Sequence, residues 1–99
     1  MSYKLERQGS HLTVCVAGKL DAKTSPVLRD AMASELEGVS EVTFDLAELE
    51  YVSSAGLRVL LAAYKLTMKR DGTMRVVNAG ENVMSILDTS GFADLFGME

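Results

Sequence analysis

Two adjacent hydroxyls, Ser53 and Ser54, stand where the pair Tyr51-Val52 gives way to Ala55-Gly56-Leu57 and a long amphipathic repeat. A serine at the start of a helix ordinarily caps it, because its oxygen accepts one of the backbone N–H groups that the first turn leaves without a partner. One cap uses one hydroxyl. Two hydroxyls, either of them a possible cap, followed by small Ala and Gly leave an unhindered hydroxyl-bearing surface at the positive end of the helix dipole. An anion can be held there, or phosphorylation can create one. Arg58 follows Ser54 by four residues, one helical turn, within reach of a phosphate or an acidic partner.

Other chemistries find less support. A serine nucleophile needs a base within hydrogen-bond reach and a group to orient it. The single histidine, His11, lies early in a strand pattern, and no Gly-x-Ser-x-Gly elbow or Walker-type phosphate loop occurs. An enzyme using Ser54 is therefore a remote alternative. One cysteine, Cys15, excludes an internal disulfide and a cysteine-based zinc site; between Val14 and Val16 it reads as a buried, inert thiol. No metal ligand set or cofactor motif is expected. A net charge of −4, with the ten Lys and Arg scattered, argues against nucleic acid as partner.

The elements that position these groups follow from periodicity. Residues 3–7 and 11–17 alternate with period two around a Gly9-Ser10 turn, which predicts an antiparallel hairpin. A loop is expected from Gly18 to Lys23. Thr24-Ser25-Pro26 then opens a helix, with plain hydroxyl caps and Pro in the first turn, and Leu28, Ala31, Met32 and Leu36 carry it to Gly38. Val42 to Leu46 reads as a strand, followed by the acidic segment Ala47 to Glu50. Leu57, Leu60, Leu61, Tyr64 and Met68 give the next helix its apolar face, and Arg58, Lys65 and Lys69 its polar one. Asp71-Gly72 ends that helix. A strand over Met74–Asn78, a short helix carrying Val83, Ile86 and Leu87, and a last amphipathic turn from Phe92 complete the chain.

The order is ββαβαβαα. It predicts an α/β fold with a mixed four- to five-stranded sheet covered by helices, its crossovers parallel and right-handed. Ninety-nine residues, 47% hydrophobic and 24% charged, suit a single domain over 1–99 with one core. The charged start of the chain gives no signal peptide, and no apolar run approaches the ~20 residues that cross a bilayer. A cytoplasmic protein without a membrane partner is expected.

Within that order, Gly18-Lys19-Leu20-Asp21, Phe44-Asp45-Leu46, Tyr51-Val52-Ser53-Ser54-Ala55-Gly56-Leu57, Asp71-Gly72-Thr73-Met74 and Ser90-Gly91-Phe92 together resemble the STAS domain. They are most similar to the stand-alone anti-sigma factor antagonists of bacteria. The resemblance spans essentially the whole chain and implies a binding switch. The unmodified domain binds an anti-sigma factor that is also a serine kinase, with ATP or ADP bound, and so frees a sigma factor. Phosphorylation of one serine ends the interaction, and a PP2C-type phosphatase resets it. The acceptor lies two residues before the motif glycine, which here makes it Ser54, two before Gly56. Ser53 stands where the family often has aspartate and is the alternative acceptor. Asp21 matches a loop aspartate near the acceptor. Partner contacts are accordingly expected from Asp21, Thr24, Ser53, Ser54, Gly56 and Arg58, with Asp45, Glu48 and Glu50 opposing added negative charge. A scaffold or accessory subunit, of a stress-signalling assembly or a membrane lipid transporter, is the alternative within the same fold.

Overall fold

A computed structural model describes residues 1–98. Period-two alternation builds β1 (Ser2–Gln8) and β2 (His11–Leu20), which pair antiparallel with Ser2 opposite Ala17 and Gln8 opposite His11. After helix α1 (Ser25–Ala33), strand β3 (Glu41–Val52) pairs parallel with β2; after α2 (Ser54–Lys69), β4 (Thr73–Val77) pairs parallel with β3. Helices α3 (Glu81–Ser90) and α4 (Phe92–Leu95) follow. The sheet has four strands in the order β1-β2-β3-β4 and is mixed, as the sequence predicts.

That order never reverses direction. Successive right-handed crossovers that step the same way along a sheet leave their helices on the same side. The buried strand residues agree: Leu12, Val14 and Val16 of β2, Val42, Phe44 and Leu46 of β3, and Met74 and Val76 of β4 share one face. The core lies between that face and the helices, with Leu28 and Met32 of α1, Leu57, Val59, Leu60 and Ala63 of α2, and Val83 and Leu87 of α3. The expectation that helices cover the sheet is thus half right. The opposite face carries Lys4, Glu6, His11, Thr13, Thr43 and Arg75, none of them buried, and solvates it. Cys15 belongs to that face and is half-buried rather than buried. Its thiol is nonetheless pushed up from its ordinary value, first by burial and then by the Asp45 and Glu6 carboxylates.

Four further expectations need correction. Gly18, Lys19 and Leu20 are strand, not loop: a register shift between Cys15 and Ala17, and another between Gly18 and Lys19, break the alternation without breaking the pairing. The same irregularity lets β3 run on through the acidic segment to Val52, burying Leu49 and Val52 while Glu48 and Glu50 stay exposed. The apolar face of α2 is rotated from the expected one. Val59, Ala63 and Thr67 are buried, Leu61 and Tyr64 only partly, and Met68 is 39% exposed. The helix packs on the sheet with one side and on α1 with the next, so its buried surface is centred between the two. Finally, α1 loses regular helical form after Ala33, although Leu36 stays buried through its N–H bond to the Met32 carbonyl (3.1 Å).

Candidate functional site

Strands β2, β3 and β4 point the same way, so their ends deliver three connections to one edge of the sheet. Leu20 and Val52 are register partners, and the Ser53 N–H donates to the Leu20 carbonyl (2.8 Å). The Asp21–Thr24 loop and the Ser53-Ser54 turn are therefore neighbours by construction. Asn82, in the first turn of α3, donates its side-chain amide to the Glu50 carbonyl (2.8 Å) and ties the third connection to the same edge.

Ser53 is the cap of α2. Its backbone is extended (φ −91°, ψ 177°), its carbonyl accepts from the Leu57 N–H (2.9 Å), and its hydroxyl accepts from the Gly56 N–H at 3.5 Å, a long bond. Ser54 is the first helical residue. It is exposed, and its hydroxyl has no hydrogen-bond partner among the described residues. Of the two hydroxyls that the sequence offers as caps, Ser53 caps α2 and Ser54 does not. Arg58 is exposed one turn further along the same helix, without an ion pair among the described residues.

Gly56, expected among the partner contacts, has a packing role in the fold. It is buried, and a Cβ there would lie 2.7 Å from Val52 Cγ2, 2.8 Å from the Leu20 carbonyl oxygen and 2.9 Å from Leu20 Cγ. The glycine seats the first turn of α2 on the ends of β2 and β3. It thereby places Ser53 and Ser54.

Asp21 closes its own loop. Its Oδ1 accepts from the Lys23 N–H (3.0 Å) and the Thr24 N–H (3.1 Å), with the Thr24 hydroxyl also at 3.1 Å. The Thr24 N–H is the largest cause holding this carboxyl below its ordinary value. Thr24 occupies the cap position of α1, but its hydroxyl makes no capping bond; it lies 2.9 Å from the Lys19 carbonyl and accepts from the Asp21 N–H at 2.9 Å. Ser25 is no plain cap either: it is 3% exposed and its Oγ has no hydrogen-bond partner.

The supposed acidic surround thins out on inspection. Asp45 sits seven residues before Val52 on the bare sheet face, about 20 Å away at ~3.3 Å per strand residue, beyond the ~8 Å screening length. Its carboxylate instead accepts from the Ala47 N–H (3.0 Å) and meets the Asn78 amide (3.3 Å). Of the four acids, Asp21 follows Leu20, the register partner of Val52, and Glu50 precedes Ser54 by four residues. His11 begins β2, at the far end of the strands from Ser54, with its Nε2 2.9 Å from Thr43 Oγ1. A separation of roughly 25–30 Å along the strand removes it as a base for either serine.

Sequence reasoning missed Ser25 as an orphaned hydroxyl and Arg29 altogether. A signal was present. Ser25 and Arg29 repeat on α1 the four-residue spacing of Ser54 and Arg58 on α2.

Residues 2–99 match the family model of the STAS domain, and the chain belongs to that family. The anti-sigma-B factor antagonist of Bacillus subtilis (strain 168) is 25% identical over 91 residues, 92% of this chain and 84% of the relative. The anti-sigma F factor antagonist of Paenibacillus polymyxa is 31% identical over 93 residues, covering 92% and 80%. The crystal structure of an anti-sigma factor antagonist from Mycobacterium paratuberculosis superposes with a TM-score of 0.86 at 26% identity, over 98% of this chain and 83% of that one. The mixed sheet with its ββαβαβαα order is the fold of that family. Among the described residues no helix is long and apolar enough to cross a membrane.

Proposed function

We propose that this protein is an anti-sigma factor antagonist whose binding edge, Asp21, Thr24, Ser53 and Ser54 with Arg58 beside them, docks an anti-sigma factor. Phosphorylation of Ser54 by that partner, acting as a serine kinase with ATP, ends the docking, and a PP2C-type phosphatase restores it. The observation that carries the reading is the free Ser54 hydroxyl. Ser53 meets the capping need, so Ser54 can be esterified without uncapping α2. The names of the relatives support the anti-sigma factor antagonist part of that reading.

A phosphoryl group adds about −1.5 to −2 charges at neutral pH. At the first helical residue the dipole tolerates that charge, so the fold persists. Against a surface built for a neutral hydroxyl, the unpaired charge and added bulk disfavour docking. A loss of ~2.8 kcal/mol is already a hundredfold in affinity, enough for a switch.

The test combines the purified chain with the anti-sigma kinase encoded in the same genome. Intact mass after incubation with ATP should rise by one phosphate in the wild type and in Ser53→Ala, and not in Ser54→Ala. Calorimetry with ADP should give tight binding for the wild type and Ser54→Ala, and weak binding for Ser54→Asp. Phosphate on Ser54→Ala, or equal affinity of the modified and unmodified chains, refutes the proposal.

A further inference from the structure

The first turns of α1 and α2 face each other across a cleft of about 480 Å³, with Ser25, Pro26 and Arg29 on one wall and Ala55, Arg58 and Ala62 on the other. Ser25, at 3% exposure, is one of the residues lining it, and its buried Oγ has no hydrogen-bond partner among the described residues. A buried hydroxyl left unpaired is costly, and native structures rarely keep one without a reason. Both arginines stand free enough to serve. Arg58 has no ion pair among the described residues. Arg29 meets only Asp30, at 3.5 Å, with both side chains mostly exposed, a contact of little worth. Among the described residues no carboxylate lines the cleft. The carboxylate of nearby Asp21 is occupied by the Lys23 and Thr24 N–H groups. The backbone N–H groups of Ser54 and Ala55, in the first turn of α2, are also without partners among the described residues.

We infer that this cleft is a binding site for a phosphoryl dianion, gripped by the Arg29 and Arg58 guanidiniums, with the Ser25 hydroxyl as a further donor. Two guanidiniums offer forked donors matched to a tetrahedral oxyanion, and the first turn of α2 adds its unpaired N–H groups and the positive end of its dipole. The phosphoryl group comes either free from solution or as the ester on Ser54, four residues before Arg58. The second source rests on the function proposed above; the first does not. With the ester as ligand, phosphorylation becomes a folding-back of charge onto the protein's own arginines, which takes Arg58 away from any acidic partner.

The experiment has two arms. In the first, the unmodified full chain is titrated with inorganic phosphate and, at matched ionic strength, with sodium chloride, while ¹H–¹⁵N spectra are recorded. Free phosphate as ligand gives saturable shifts at Ser25, Ala55 and the Arg29 and Arg58 side-chain N–H groups, with phosphate only. The double variant Arg29→Gln/Arg58→Gln then weakens binding at least about tenfold. Ser25→Ala weakens it about threefold while raising the thermal midpoint of the phosphate-free protein, because it removes the orphaned hydroxyl. In the second arm, ³¹P spectra follow the second ionisation of phosphorylated Ser54. The ester as ligand lowers its midpoint below the ordinary ~6 of a phosphoserine, and the double variant restores it. Either arm giving its result supports the site and names the source. Shifts that are unsaturable or unchanged in the double variant, together with a ³¹P midpoint indifferent to the arginines, overturn it. Should Ser54 accept no phosphate, the regulatory proposal alone fails, and the first arm decides the cleft.

Discussion

Replacing Gly56 by alanine sets two effects of opposite sign against each other. Alanine favours helix over glycine by up to about 1 kcal/mol, so an unobstructed Gly→Ala change would stabilise α2. The site is not unobstructed. The new Cβ would stand 2.7 Å from Val52 Cγ2, 2.8 Å from the Leu20 carbonyl oxygen and 2.9 Å from Leu20 Cγ. The carbon contacts are at least ~0.6 Å short of the ~3.5–4.0 Å optimum. One obstacle is backbone, and both leucine and valine are fully buried, so no flexible side chain can swing aside. Relief requires α2 to lift from the strand ends. Overpacking of this kind costs about 1–3 kcal/mol, and the steric term wins by a net ~1–2 kcal/mol. For a domain of this size that lowers the thermal midpoint by roughly 5–15 °C. Urea unfolding followed by circular dichroism should show a lower midpoint at an unchanged slope. The amide signals of Ser53 and Ser54 should move as well. A Gly56→Ala protein as stable as wild type, or more so, would refute the claim that this glycine seats the helix.

The remaining predictions concern the core, the loop and the thiol. Leu60→Ala, at a fully buried position, should cost about 2–5 kcal/mol, while Leu61→Ala, at a half-buried one, should cost clearly less; equal losses in denaturant titrations would contradict the orientation of α2. Because folding holds the Asp21 carboxyl below its ordinary value, its contribution is present above the ordinary ~3.9 and is lost as pH falls through the folded value. The stability gap between wild type and Asp21→Asn should therefore hold from pH 7 to about 5 and shrink below about 4; a gap that is constant down to pH 2 rules this out. Cys15 should react with iodoacetamide more slowly than a free thiol at pH 8, with its rate profile displaced to higher pH, and a profile at or below the free-thiol value would contradict the upward push.

Periodicity made most of the architecture legible. The hairpin, the parallel crossovers and the helix beginning after Ser53-Ser54 all follow from apolar spacing and turn residues, and the motif set pointed to the family. Two kinds of feature escaped. Where β2 and β3 shift register near Ala17 and Gly18, the period-two signal fails although the backbone stays paired, so Gly18 to Leu20 read as loop and Ala47 to Glu50 as an acidic segment after the strand. Where an element touches two neighbours, its buried face is wider than one stripe: α2 packs on both sheet and α1, which is why Val59, Ala63 and Thr67 are covered and Met68 is not. At the site, it was readable from capping chemistry that one hydroxyl of the Ser53-Ser54 pair would cap α2, but not which one. The burial of Gly56 and the unpaired Ser25 hydroxyl were not readable, because both depend on what lies across a contact between elements distant in the chain.

The single hydrogen bond from the Ser53 N–H to the Leu20 carbonyl has a mechanical consequence. It couples the last residues of two central strands, so the loop after one and the turn after the other share a common footing. Neither can be pulled aside without shearing the middle of the sheet. A surface mounted that way has little compliance, and it favours signals written in electrostatics over signals written in displacement.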